Sequence, residues 1–502
     1  MMNEQWELTL PLLSFSESDV WTLKDACSGV GVFGVNGSGK TSGPGQAIAR
    51  AFLNNGFGGL VLCAKMGEAQ QWLDWAKAEG REKSIIHIHH EKDMKFDYLD
   101  YEMKREGGGQ TENILDIFMQ VISITQKSDL SQGENAYFFQ ACKQLLRNAI
   151  DLCRMAYNRV SLVDVYNVVA SAPSHPDDLK SDEWKSKSEC FQALATCNAL
   201  EQQKQDSGKS YQVNHELDLC ASYFLREYPR FGDRLRSSIS SIFTASSDPW
   251  LRGRLRKLFS RKQDEIDPIS GKQGFYLDPD HCKEGAIYLF DYPVKDGLVG
   301  RVAQSLYKLI WQQHMERRNI EEDGGRPVFL WADEAQHFLL PDHDATFAQT
   351  ARSSRILTVL LSQNISNYYN ALGQGEQGVN QTESLVGNLG TLIFNANTHE
   401  KTNRWASGIF GTQWRHSASV TTGDSSNLST ADQGGSISSG TSASTSLSEQ
   451  QRNVIESRDF TLLATGGEVN HFQVEAIINQ AGRIWNATQS NYIRVTFDQI
   501  YP

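Results

Sequence analysis

Residues 30–41 read VGVFGVNGSGKT. Val30 to Val35 form an apolar run of the length of a buried strand. Gly34, Val35, Asn36, Gly37, Ser38, Gly39, Lys40 and Thr41 fill the pattern G-x-x-x-x-G-K-[ST] in full. The chemistry requires these residue types. Glycines let backbone N–H groups curl around a phosphate where a Cβ would clash. The helix that follows points its positive end at the same anion. Lys40 supplies a point charge for the β- and γ-phosphates, and the Thr41 hydroxyl is a ligand for Mg²⁺. Pro44 falls in the first turns of that helix, where a missing N–H costs little. A strand, this loop and a helix in sequence predict a nucleotide site for ATP with Mg²⁺.

Outward from the loop, short apolar strands alternate with helical periodicity. Gly59–Lys65 (GLVLCAK) is the second strand, Glu68–Glu79 a helix, and Ser84–His89 the third strand. From about residue 102 to 262 the periodicity is helical, as in Tyr137–Ala156, with polar breaks at 171–177 and 202–210. Strands then resume at Gly285–Asp291, Val328–Asp333, Ile356–Ser362 and Gly390–Asn395, with a helix over Val299–Arg318. Near the end, Phe472–Ile478 and Tyr492–Phe497 read as strands. The fold class is therefore α/β: a mostly parallel sheet flanked by helices and split in sequence by an all-helical insertion. The division expected is 1–101 and 284–502 for the two parts of the nucleotide-binding domain and 102–283 for the insertion. Residues 417–448 are rich in Ser, Thr and Gly, which suits a linker or mobile loop, or an extended polar hairpin.

The run Val328–Glu334 (VFLWADE) is an apolar strand that ends in two acids. It is expected to lie beside the loop-bearing strand, where Asp333 would hold Mg²⁺ and Glu334 would polarise the attacking water. Gln363 closes the next apolar strand and is expected as a polar sensor of the γ-phosphate or of that water. Arg352 and Arg355 lie between these two strands. Either has the chemistry of an arginine finger that reaches the site of a neighbouring subunit.

The formal net charge of −12 over 502 residues excludes a generic polyanion binder. Contact with nucleic acid has to come from a local patch. The densest is Arg252, Arg254, Arg256 and Lys257, followed by Arg261 and Lys262, with Arg230, Arg234 and Arg236 upstream. Such residues track phosphates, or simply form a solvated helix face. The eight cysteines contain no C-x-x-C pair, which argues against a zinc ribbon and fits reduced thiols in a cytoplasmic protein. No stretch has the length of a membrane-spanning helix, and the N-terminus has no signal-peptide pattern.

Taken in order, these motifs resemble the FtsK–HerA superfamily of ring-forming translocases, and within it the TraG/TraD branch of coupling ATPases of type IV secretion and conjugation. The resemblance runs from about residue 31 to 480. It is carried by GSGKTSGPGQAIARAFL, GGLVLCAKMGEAQQWLDWAKAEGR, SSISSIFTASSDPWL, GAIYLFDYPV, DEAQHFL, ARSSRILTVLLSQNISNYYNALG and RNVIESRDFTLLATGGEVNHFQVEAIINQ. It implies a RecA-like P-loop NTPase fold, a hexameric homo-oligomer that moves a polymer through its centre, and Arg352 as the finger, since Arg355 stands where the branch usually has glycine. Two departures stand out. Cys63 and Ala64 occupy the place where the branch usually has an acid before its Lys-Gly-Glu element, so any role of that acid is absent. Only about thirty residues precede the loop, without the membrane helices of the anchored members, which implies a member not inserted in a membrane. Two functions remain open at this stage. One is an ATP-driven motor that moves or delivers DNA or a nucleoprotein. The other is a nucleotide-switched assembly ATPase that recruits an effector protein without moving DNA.

Overall fold

Nine of the strands assemble into a single sheet in the computed structural model, which describes residues 4–126, 136–206, 214–267, 270–373, 375–429 and 436–500. In chain order they are β1 (Val30–Phe33), β2 (Gly58–Leu62), β3 (Ile85–His89), β4 (Ile287–Asp291), β5 (Val328–Ala332), β6 (Ile356–Ser362), β7 (Thr391–Phe394), β8 (Gln473–Gln480) and β9 (Tyr492–Asp498). Their order across the sheet is β9-β8-β7-β1-β6-β5-β2-β4-β3. Strands β7 to β3 in that order are parallel, and β8 and β9 are added antiparallel at one edge.

A parallel sheet needs both faces covered, and alternate residues of each strand do this here. Val30 and Val32 of β1, Val61 of β2, Trp331 of β5 and Val359 of β6 face a core shared with the helices Gln46–Asn54 and Glu68–Ala78. Phe33, Leu60, Leu330 and Leu360 face the opposite core, with the helix Leu298–Glu316 and the helical block. That block runs from Tyr98–Lys104 to Gly253–Phe259 between β3 and β4. The described residues of 102–283 are helical or irregular except for the two-residue strand Phe275–Tyr276, which pairs with Met94–Lys95, and one isolated bridge, Ile266 to Gln273.

The acid-bearing strand β5 does not lie beside β1, as the sequence reading had it. Strand β6 stands between them and hydrogen-bonds to both. The reason is its character: seven consecutive residues, ILTVLLS, all buried, suit the centre of a parallel sheet. The Ser-rich segment is not a featureless linker either. Thr412–Ser429 and Ser436–Asn453 pair antiparallel in one continuous register, the extended polar hairpin of the two expectations; residues 430–435 lie outside the described residues.

Candidate nucleotide site

The loop Gly34–Lys40 leaves the carboxyl end of β1 at the centre of the sheet, where parallel strands open a crevice. Gly37 and Gly39 have φ of +78° and +80°, a region open to glycine and costly for other residues. At Gly39 the need is double. A Cβ there would stand 2.4 Å from Val474 Cγ2. Val474 is on β8, so the antiparallel edge of the sheet buttresses the loop. Gln499, just past β9, donates to the Ser42 hydroxyl at 2.6 Å and ties the same edge to the first turn after the loop. At Gly37 a Cβ would meet nothing within 4 Å, so the mouth of the loop is open.

The expected partners meet across the intervening strand. Thr41 Oγ1 donates to Asp333 Oδ2 at 2.7 Å, and Asp333 Oδ1 accepts from the Glu334 backbone N–H at 2.8 Å. Glu334 has φ of +52°, a left-handed conformation uncommon for a non-glycine residue, and it turns the chain sharply at the end of β5. Its buried carboxylate accepts four hydrogen bonds: from Lys65 Nζ at 2.5 Å, from Gln336 Nε2 at 2.8 Å, and from Gln363 Nε2 at 3.1 and 3.2 Å. Burial pushes this carboxyl up, but Lys65, Gln336, Gln363 and the charge of Lys40 outweigh it and hold it at about 2.

Lys40 is 5% exposed, and its ammonium lies 3.8 Å from Glu334, beyond hydrogen-bond distance. Among the described residues it makes no hydrogen bond. Ser38 Oγ is buried and without a partner. A buried ammonium and an orphaned hydroxyl beside a glycine loop form a cradle with unfilled capacity for an anion. Among the described residues there is no cluster of three or more His, Cys, Asp or Glu side chains suited to a metal. The side-chain oxygens of Thr41 and Asp333 lie side by side and would suit Mg²⁺, a cation that takes most of its shell from water and phosphate.

Two partners in this crevice were not singled out from the sequence. Lys65 follows β2, and Glu68 accepts from the backbone N–H groups of Ala64 and Lys65 at 2.7 and 3.2 Å, fixing the turn that carries Lys65. Burial, and then the negative charge of Asp333, push the Glu68 carboxyl up. In the sequence Lys65 stands out only as part of a stretch that carries the family resemblance. What points to it is its place at the carboxyl end of the strand beside β5. Gln336 lies two residues past Glu334, and its amide oxygen accepts from Ser362 Oγ at 2.9 Å.

The remaining candidates lie elsewhere. Arg352 is exposed in the turn Ala351–Ser354, before the amino end of β6. The length of β6, about 20 Å at 3.3 Å per residue, separates it from Gln363 and the loop of its own chain. Arg355 is buried instead, with φ of +50°, and donates to the carbonyls of Trp6 and Gly325, both at 2.9 Å. On the helix Gly253–Phe259, Arg254 and Arg256 are exposed. Arg252, just before it, bonds Asp248 at 2.7 Å, and Lys257 lies 4.0 Å from Asp93 and 3.9 Å from Asp267. Arg261 is buried against the same two acids, and Arg236 is buried against Asp233 and the Phe231 carbonyl. All eight cysteines are buried and free, and no described helix is long and apolar enough to cross a membrane.

Residues 327–464 match the family model described as the TraM recognition site of TraD and TraG. No curated protein matches the chain in sequence. The fold as a whole is similar to solved structures of the coupling protein TrwB. The unbound bacterial conjugative coupling protein TrwBdeltaN70 superposes with a TM-score of 0.58 at 11% identity, over 98% of this chain and 90% of that one. Plasmid coupling protein TrwB with the non-hydrolysable ATP analogue ADPNP gives 0.57 at 12% identity, over 98% and 92%. The form with ADP and Mg²⁺ gives 0.57 at 11%, over 98% and 91%. At these identities the likeness is one of fold, the RecA-like α/β fold that the motifs imply.

Proposed function

We propose that this chain, which shares the fold of the conjugative coupling proteins, is an ATP-hydrolysing motor that moves or delivers DNA through a ring of identical subunits. The observation that carries the reading is the 2.7 Å contact of Thr41 with Asp333, made beside an ammonium with no hydrogen-bond acceptor. It joins segments nearly three hundred residues apart, which supports reading them as the two halves of a phosphoryl-transfer site. In this reading Gly34–Thr41 hold the triphosphate and Thr41 and Asp333 hold Mg²⁺. When bound, the cation neutralises charge on the phosphate oxygens. Glu334 takes the proton of the attacking water, and Gln363 orients that water. The exposed side of the helix Gly253–Phe259, with Arg254 and Arg256, tracks the DNA backbone, helped by Arg252 and Lys257. The family-model match supports a protein partner that docks on residues 327–464 and brings the substrate. ATP is supplied in the cytoplasm, so the reading puts the motor there. Residues 102–283 form an inserted unit between the two parts of the nucleotide-binding domain.

ATP turnover measured without DNA and with single- or double-stranded DNA tests this. The expected result is a rise with DNA that is lost when Arg252, Arg254 and Arg256 are all changed to Gln. Turnover indifferent to both DNA forms would favour the nucleotide-switched assembly function instead.

A further inference from the structure

We propose that Lys65 is a positioning residue that occupies Glu334 and keeps it from the attacking water while the motor is at rest. The inference rests on the ATPase reading above and adds a control to the same site. A carboxylate has about four acceptor directions. On Glu334 all are used, by Lys65, Gln336 and Gln363 twice. A water that is to hand its proton to this carboxylate needs one of them vacated.

The three donors differ in their freedom to leave. Gln336 is held from its other side by Ser362 Oγ at 2.9 Å. Gln363 has its backbone carbonyl fixed by Asn397 Nδ2 at 2.9 Å and reaches both carboxylate oxygens. Lys65 is the exposed member of the set, its side chain 47% accessible against 3% for Glu334. Its backbone is immobilised by Glu68, and the flanking carbonyls of Cys63 and Ala64 are held by Gln304 and by the Val294 N–H. The turn therefore stays in place while a flexible four-carbon stem rotates its ammonium into solvent. That rotation opens one direction on Glu334 Oε1 and removes the carboxylate's nearest positive charge. Among the described residues the Lys65 ammonium bonds Glu334 and no member of the loop Gly34–Thr41, so its removal acts on turnover and leaves binding intact.

The test is steady-state ATP turnover of Lys65→Met and Lys65→Arg beside wild type, each with and without DNA. Lys65→Met should raise the resting kcat about twofold to fivefold, the scale of one partly exposed ion pair, with KM for ATP unchanged. Lys65→Arg, which restores the charge and the donors, should return the resting rate to that of wild type. A DNA-stimulated wild type whose Lys65→Met variant is no faster at rest, or slower, would overturn this inference alone. Silence of wild type and Lys65→Met under every condition would overturn the ATPase reading, and this inference with it.

Discussion

Glu334 is held in an unfavourable backbone conformation, with every acceptor direction of its carboxylate in use. Such an arrangement places one oxygen pair with high precision and costs stability to keep. Glu334→Gln retains the hydrogen-bonding shape and loses the proton acceptor. It should bind ATP normally and turn over about 10²- to 10⁴-fold more slowly, read by equilibrium binding and steady-state kinetics side by side. Arg355 is a different kind of strained residue, because its side chain supports the fold. Arg355→Ala strands the carbonyls of Trp6 and Gly325 and should cost about 2–4 kcal/mol in chemical denaturation. Arg355→Gly should cost less than Arg355→Ala by about 1 kcal/mol, since the left-handed backbone is free to glycine. At this scale the loop and the acids were legible because each carries a local spacing. The contact of Lys65 with Glu334 was not: 269 residues separate the two, and no short-range pattern records the pairing.

The elements around the site are pinned by a second buried ion pair. Lys308 on the helix Leu298–Glu316 bonds both oxygens of Asp344, at 2.6 and 2.5 Å, and Gln312 and the Leu340 N–H complete the shell. Asp344 lies in the helix His343–Thr350, which connects the segment after Glu334 to the turn of Arg352. Asp344→Asn leaves an unpaired buried ammonium and should destabilise the protein by about 3–5 kcal/mol, whereas Lys308→Met with Asp344→Leu should recover most of that loss in the same denaturation assay. All nine sheet strands were legible from apolar runs bounded by polar residues. Their lateral order was not, because periodicity says that a strand is buried without saying beside which neighbour. Hence β6 stands where β5 was expected, and Gln363 at its end comes within hydrogen-bond distance of Glu334. The hairpin of Pro11–Ser14 with Val20–Thr22 escaped notice because strands of four and three residues leave too few alternations to read.

For the molecule as a whole, the position of Arg352 matters most. It is exposed and lies at the end of β6 remote from its own nucleotide, so any action on ATP has to be on a neighbour's. Arg352→Ala should leave stability within about 0.5 kcal/mol of wild type and abolish turnover only where subunits assemble. Mass photometry paired with kinetics checks this. Full activity in a confirmed oligomer would exclude Arg352 from the reaction.

The order of the sheet also bears on how the chain is made. None of β1, β2 and β3 touches another of the three: β1 lies between β6 and β7, β2 between β4 and β5, and β3 against β4. When the ribosome has released these three strands, none of them has a native sheet partner among the other two. Roughly 200 further residues must emerge before β4 can reach β2, a wait of about 10–40 s at ordinary elongation speeds. Throughout that interval GLVLCA and its companions lack their native sheet neighbours, the condition in which exposed strand edges invite aggregation.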